Sequence, residues 1–207
     1  ITRDDVTGVW AGLRPLVRAA DSGRTADLSR RHLIDTGSTG LITVTGGKLT
    51  TYREMAEDTV DAVLRGLGRS ARCRTRRMRL VGADGYDRIA ADRPEHHLAA
   101  RYGSEATEVR ALVAVDPSLR GPLVPGLPYT RAEAVFAVRH EMATTLVDVL
   151  TRRTRAHLQH RAACLAAAPD IARLLAPELG WDHDETAAQV DAYRALCATE
   201  ELAASRR

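Results

Sequence analysis

The residues best placed to do chemistry lie in one run, Gly46-Gly47-Lys48-Leu49-Thr50-Thr51-Tyr52-Arg53. A β-branched stretch ends there in two glycines, and a helical period starts at about Thr50. Glycine lets a backbone come close to a ligand because no Cβ stands in the way. The first amides of a helix have no intrahelical acceptor and sit at the positive end of its dipole. Such a turn can receive a phosphate, or a ligand atom that becomes anionic during reaction. Lys48 adds a full positive charge at the same spot, and it is a single lysine beside 29 arginines. An ammonium is a compact point charge that a guanidinium does not replace. The run is not a P-loop, because the earlier glycine is missing and Leu49 stands at the hydroxyl position. The dinucleotide fingerprint G-x-G-x-x-G is absent from the whole chain. On the residues alone, an ordinary glycine-rich strand-to-helix turn explains the run as well as a ligand site does.

The remaining candidates are weaker. Arg14, just before Pro15, would be aimed by the fixed backbone of that step, but read alone it is a surface arginine. Tyr52 falls on an apolar helix stripe and reads as core, and Arg53 lies off it and reads as solvated. His140-Glu141 suggests a base with an orienting carboxylate. Adjacent helical residues do not face each other, so a helix-start cap is the better reading. His96-His97 and the His157, His160 and Cys164 spacing raise the question of a metal, but no second cluster completes a ligand set, and no metal is expected.

These residues need elements to hold them. Thr7–Leu13 reads as a strand, and Arg31–Asp35 and Leu41–Thr45 as two strands joined by Gly37-Ser38-Thr39-Gly40, a hairpin spacing. Tyr52, Met55, Ala56, Thr59, Val60, Val63, Leu64 and Leu67 recur at helical steps along one face, with Gly66 and Gly68 as a stop. Residues 68–85 form an arginine-rich linker. No aromatic residue interleaves with Arg69, Arg72, Arg74, Arg76, Arg77 and Arg79, so they read as a solvated segment and not as a nucleic-acid surface. Residues 86–207 read as mostly helical. Helices are expected over Pro94–Tyr102, Glu105–Val115, Glu141–Arg155, Leu158–Ala168, Asp170–Leu179 and Asp184–Leu202, with Thr130–Arg139 a short strand or a helical turn. Pro169 is expected to start one helix and Asp182 or Asp184 to cap the last. The fold class is α+β: a small β-hairpin and strand-turn-helix part over residues 1–67, the linker, then a helical domain over 86–207.

Composition supports a globular protein. The chain has 207 residues, 44% hydrophobic and 28% charged, with a net charge of +3. No apolar run approaches the roughly 20 residues that cross a bilayer. Three cysteines at wide spacing make no disulfide framework, which favours a reducing, cytoplasmic setting. A start at Ile1 with no signal core suggests part of a longer protein.

The stretch from Thr43 to Asp61, with its Gly-Gly-Lys-Leu-Thr-Thr-Tyr-Arg core, resembles the signature near the end of the flavin domain in FAD-dependent glycerol-3-phosphate dehydrogenases. Val9–Leu16, with its Gly-x-Arg-Pro-Leu step, is similar to a strand of that family. Ala137–Ala143 and Leu150–Arg155 resemble its C-terminal helical domain. The resemblance spans nearly the whole chain. It implies oxidation of sn-glycerol 3-phosphate to dihydroxyacetone phosphate by hydride transfer to FAD, with electrons passed to membrane quinone, or to oxygen in the related oxidases. Residues 1–67 would be the end of the FAD- and substrate-binding domain. Gly46, Gly47, Lys48, Leu49 and Thr50 would face the pyrimidine edge of the flavin. Arg14 and Lys48 would bind the substrate, chiefly its phosphate, and Lys48 would also serve catalysis. The FAD pyrophosphate site and the catalytic base would lie outside these residues, so the chain alone is expected to be inactive and to bind FAD weakly or not at all. The resemblance leaves open a homodimer and peripheral contact with the inner face of the plasma membrane, and gives no nucleic-acid partner. The rival reading is a non-catalytic helical interaction or oligomerisation module.

Overall fold

The computed structural model describes residues 32–90 and 96–205, together with Thr2, Gly12 and Leu13. Arg14 lies outside the described residues. So does the expected strand Thr7–Leu13, except for Gly12 and Leu13, which belong to no strand. The chain divides between Arg79 and Leu80 into two compact units.

In the first unit, β1 (His32–Thr36) and β2 (Ile42–Gly46) form an antiparallel hairpin, with Ile34 opposite Val44 and His32 opposite Gly46. The Gly37 amide donates to the Leu41 carbonyl at 2.8 Å and closes the loop. A short 3₁₀ turn, Leu49–Thr51, leads into α1 (Tyr52–Gly66). His32 Nε2 lies 2.7 Å from Asp58 Oδ2 and ties β1 to α1. The stripe expected on α1 is only partly covered. Met55, Thr59 and Leu64 are half-buried, whereas Tyr52, Val60, Val63 and Leu67 are 55%, 54%, 39% and 64% exposed. Tyr52 is therefore not core. Ala62 is the one fully buried residue among those described here.

The second unit is helical: α2 (Tyr86–Ala90), α3 (His96–Tyr102), α4 (Ala106–Val115), α5 (Arg131–Glu141), α6 (Ala156–Leu179) and α7 (His183–Ser205). Tyr102, Val109, Leu119 and Phe136 form one core between α3, α4 and α5. Leu146, Leu150, Ile171, Leu175 and Tyr193, all fully buried, centre a second core against α5, α6 and α7. Burying one such side chain is worth roughly 1.5–3 kcal/mol, which makes these cores the main support of the unit.

Of the two readings of Thr130–Arg139 the helical one holds, as a full helix rather than a single turn. Two expectations are corrected here. Glu141–Arg155 is not one helix: Met142 takes a left-handed conformation (φ 57°), the Ala143 amide donates back to the Ala137 carbonyl at 3.0 Å, and a π-helical turn follows over Asp148–Arg153. The apolar spacing at Leu146, Val149 and Leu150 is real, but it belongs to that later turn, while Met142 is 84% exposed. Finally, Pro169 does not begin a helix. It lies inside α6, whose one non-helical residue is His160 (φ −155°, ψ 76°). An interior proline costs about 3 kcal/mol, and the fully buried Cys164, Ala168, Ile171, Ala172 and Leu175 around it offset that cost. Asp182 is the cap of α7, its Oδ1 accepting the Glu185 amide at 2.8 Å.

Candidate functional site

The glycine turn sits where β2 gives way to α1. Gly46 (φ 77°) and Gly47 (φ 85°) both adopt left-handed backbone, which an L side chain resists. Space adds a smaller term. A Cβ at Gly47 would lie 2.5 Å from Met55 Sδ and 3.3 Å from His32 Cβ, so the flexible end of Met55 would have to shift. The space that the missing side chain frees is filled by α1 of the same unit, so this glycine secures the packing of helix on hairpin. Lys48 is extended (φ −140°, ψ 153°) and exposed. Its carbonyl accepts the Thr51 amide at 3.0 Å and the Thr51 hydroxyl at 3.2 Å, which pins the turn.

What the turn presents outward is positive. The amides of Leu49 and Thr50 precede the first intrahelical bond and have no acceptor among the described residues. Leu49 is 88% exposed, and Lys48 has no ion-pair partner among the described residues. Two free N–H groups, the dipole of a helix that follows at once, and an ammonium therefore share one open corner. These are the parts needed to stabilise developing negative charge, and their donor chemistry fits the electron-rich edge of a reduced flavin.

Other residues singled out in the sequence turn out differently. Arg53 is not simply solvated: its Nη1 donates to Glu57, whose carboxyl it holds below the usual range, and it lies 3.3 Å from Thr75 Oγ1. His140 is at the end of α5, not the start of a helix, and stacks on Phe136 at 4.6 Å. Burial raises the Glu141 carboxyl above its ordinary value. His157 is buried, with Nδ1 2.9 Å from Tyr193 Oη and Nε2 2.7 Å from Glu200. His160 Nδ1 accepts the Ala163 amide at 3.3 Å and so caps the main stretch of α6. No group of three His, Cys, Asp or Glu side chains among the described residues could hold a metal.

One charged centre was missed. Glu133 is fully buried on α5. Its carboxylate accepts the Thr130 amide at 2.7 Å and stands 3.1 Å from both His97 Nε2 and Arg101 Nε. The Tyr102 hydroxyl donates to it at 3.3 Å. Arg101 also donates to the Arg153 carbonyl at 2.6 Å and lies 5.1 Å over the Tyr129 ring. The centre thus fastens α3 and the π turn to α5. Its readable signal was Thr130-Arg131-Ala132-Glu133, the spacing of a capping box.

Comparison with known proteins gives this geometry its setting. The family described as the C-terminal domain of alpha-glycerophosphate oxidase matches residues 73–186, more than half of the chain. The chain belongs to this family. Among curated relatives, glycerol-3-phosphate dehydrogenase 2 of Mycobacterium tuberculosis (strain ATCC 25618 / H37Rv) is 38% identical over 205 residues, covering 92% of this chain and 34% of that protein. Glycerol-3-phosphate dehydrogenase of Mycobacterium leprae is 37% identical, covering 98% of this chain and 37% of the relative. The mitochondrial glycerol-3-phosphate dehydrogenase of Homo sapiens is 36% identical, covering 94% and 29%. The chain thus spans about a third of the length of the curated relatives it matches, corresponding to their C-terminal part.

Proposed function

We propose that this chain supplies part of the active site, and the C-terminal helical domain, of an FAD-dependent glycerol-3-phosphate dehydrogenase that passes its electrons to quinone. The observation that carries the reading is the open, cationic strand-to-helix turn at Gly46–Thr50, in a chain whose relatives are named for glycerol 3-phosphate oxidation. FAD, when bound, would supply the two-electron acceptor. The residues of the chain do the rest. The Leu49 and Thr50 amides offer preorganised donors, and a donor of that kind is typically worth about 10²–10³ in turnover. The Lys48 ammonium holds the substrate phosphate. Arg14, through its planar fork, takes a second share of that dianion. A cytoplasmic enzyme with peripheral contact to the inner membrane face completes the proposal.

The test is turnover in the longer protein, with a dye as electron acceptor. Lys48→Ala is expected to lose at least about tenfold in kcat/KM, the factor that goes with one charge-assisted contact of about 1.5–3 kcal/mol. Unchanged kinetics would remove Lys48 from the site. A stoichiometric yellow complex of FAD with the 207-residue chain alone would refute the proposal that further chain is needed to bind the cofactor. The second reading, a helical interaction module, draws on the self-contained cores of the unit that begins at Leu80. It predicts no catalytic effect from any substitution at residues 46–50.

A further inference from the structure

The arginines after α1 are exposed, as a solvated segment requires, but four of them share one place. Arg72, Arg74, Arg76 and Arg77 converge, with Cys73 and Glu57, on one open cavity of about 650 Å³ in the first unit. A 3₁₀ turn over Thr75–Arg77 fixes the segment, and Cys73 Sγ lies 3.0 Å from Thr75 Oγ1. The one carboxylate among the described lining residues, Glu57, is already engaged by Arg53, with Arg76 Nε 3.8 Å away. Arg72, Arg74 and Arg77 have no ion-pair partner among the described residues. Among the described residues, four arginines therefore line the cavity beside one compensated carboxylate.

We propose that this cavity is a binding site for a phosphoryl-bearing anion, separate from the glycine turn at Lys48. Forked guanidinium groups match phosphate oxygens bidentately, and clustered cations with no counter-charge favour a ligand of two or more negative charges. Among the described residues the lining offers no aromatic side chain on which a base could stack, so the recognised group is the phosphate itself and not a nucleic-acid strand. The same chemistry describes a free polyphosphate and an anionic lipid headgroup.

Cys73 reports on the site from inside it. It is half-buried in the lining, whereas Cys164 and Cys197 are buried in the helical unit, so alkylation of the native chain is selective for it. The experiment measures the rate of Cys73 alkylation by iodoacetamide in the 207-residue chain, with inorganic pyrophosphate or with vesicles containing phosphatidic acid, a phosphomonoester, added at constant ionic strength. Saturable protection by pyrophosphate supports a site for a soluble anion. Protection by vesicles alone supports a lipid headgroup. In either case Arg74→Ala combined with Arg77→Ala is expected to raise the half-protecting concentration at least about tenfold, the loss that goes with one charge-assisted bond. Both arginines are exposed, so the fold survives their removal. Lys48→Ala is expected to leave the protection unchanged. No protection by either probe, protection that follows ionic strength alone, or an equal loss in Lys48→Ala would overturn the site.

Discussion

At the scale of single residues, Gly47 shows how a position that suggests ligand approach also bears on packing. Its left-handed backbone alone should cost an alanine roughly 1–2 kcal/mol, and the new Cβ would run into Met55. Gly47→Ala is therefore expected to lower the urea midpoint of the first unit clearly. Met55→Ala in the same background removes the clash but not the dihedral penalty. The double variant should be more stable than the sum of the two single losses predicts, by about 0.5 kcal/mol or more. Strict additivity would mean that Met55 does not crowd this glycine. Glu133 is the complementary case of a charge that cannot be moved. Removing one partner from a buried, hydrogen-bonded charge cluster typically costs about 3–5 kcal/mol. Glu133→Ala is expected to lower the stability of the helical unit by that order, as read by denaturant unfolding, since it takes the carboxylate from His97, Arg101 and the Thr130 amide together.

At the scale of elements, local signals account for what could be read and what could not. The hairpin and α1 lie within one or two residues of their expected bounds, because β-branched runs, a glycine-bearing loop and a long helical period all agree there. The break after α5 was hidden. Met142 carries no glycine or proline to announce a left-handed residue, and Leu146, Val149 and Leu150 continue a helical spacing across it. Pro169 misled in the opposite direction, since a core can outweigh a lost donor. At the glycine turn, the residue types were legible, but the partner of Gly47 was not, because Met55 reaches it only when α1 folds back on β1. What stabilises the unexpected break is Asp148. Burial works against its ionised form, but the hydroxyl of Thr145, the amide of Thr144 and Arg152 outweigh that and hold the carboxyl below its ordinary value. A depressed folded pKa contributes stability above the unfolded value of about 3.9, and that contribution is lost as pH falls through the folded pKa. Asp148→Asn is accordingly expected to cost about 1 kcal/mol at pH 7, because a neutral amide replaces a carboxylate that accepts charge-assisted bonds. The difference from wild type should shrink in thermal melts as pH falls below the unfolded value and vanish once the folded carboxyl is protonated. A constant difference across that range would show that the ionised carboxylate is not what holds the turn.

At the scale of the whole molecule, the two units differ in how much apolar surface they hide. From Leu80 onward, two clusters bury whole side chains such as Phe136, Leu146, Ile171 and Tyr193 at 2% exposure or less. Between His32 and Arg79 only Ala62 is fully buried, while Leu33, Tyr52, Val60 and Leu67 are each at least half exposed. Local opening free energy follows buried contact, so the units should not unfold together. Hydrogen exchange on the native chain can separate them. Amides of α5 and α6, such as those of Phe136 and Ala172, are expected to exchange at least about 100-fold more slowly than those of β1 and of α1, since every 1.4 kcal/mol of opening energy is a factor of ten. Val60→Glu with Leu67→Glu should reduce binding of an apolar dye to the chain while leaving protection in α5 and α6 untouched, because the exposed face belongs to the first unit alone. Equal protection across both units would mean that the hairpin and α1 draw stability from something other than their own sparse core. The exposed face of α1 would then already be covered in the isolated chain.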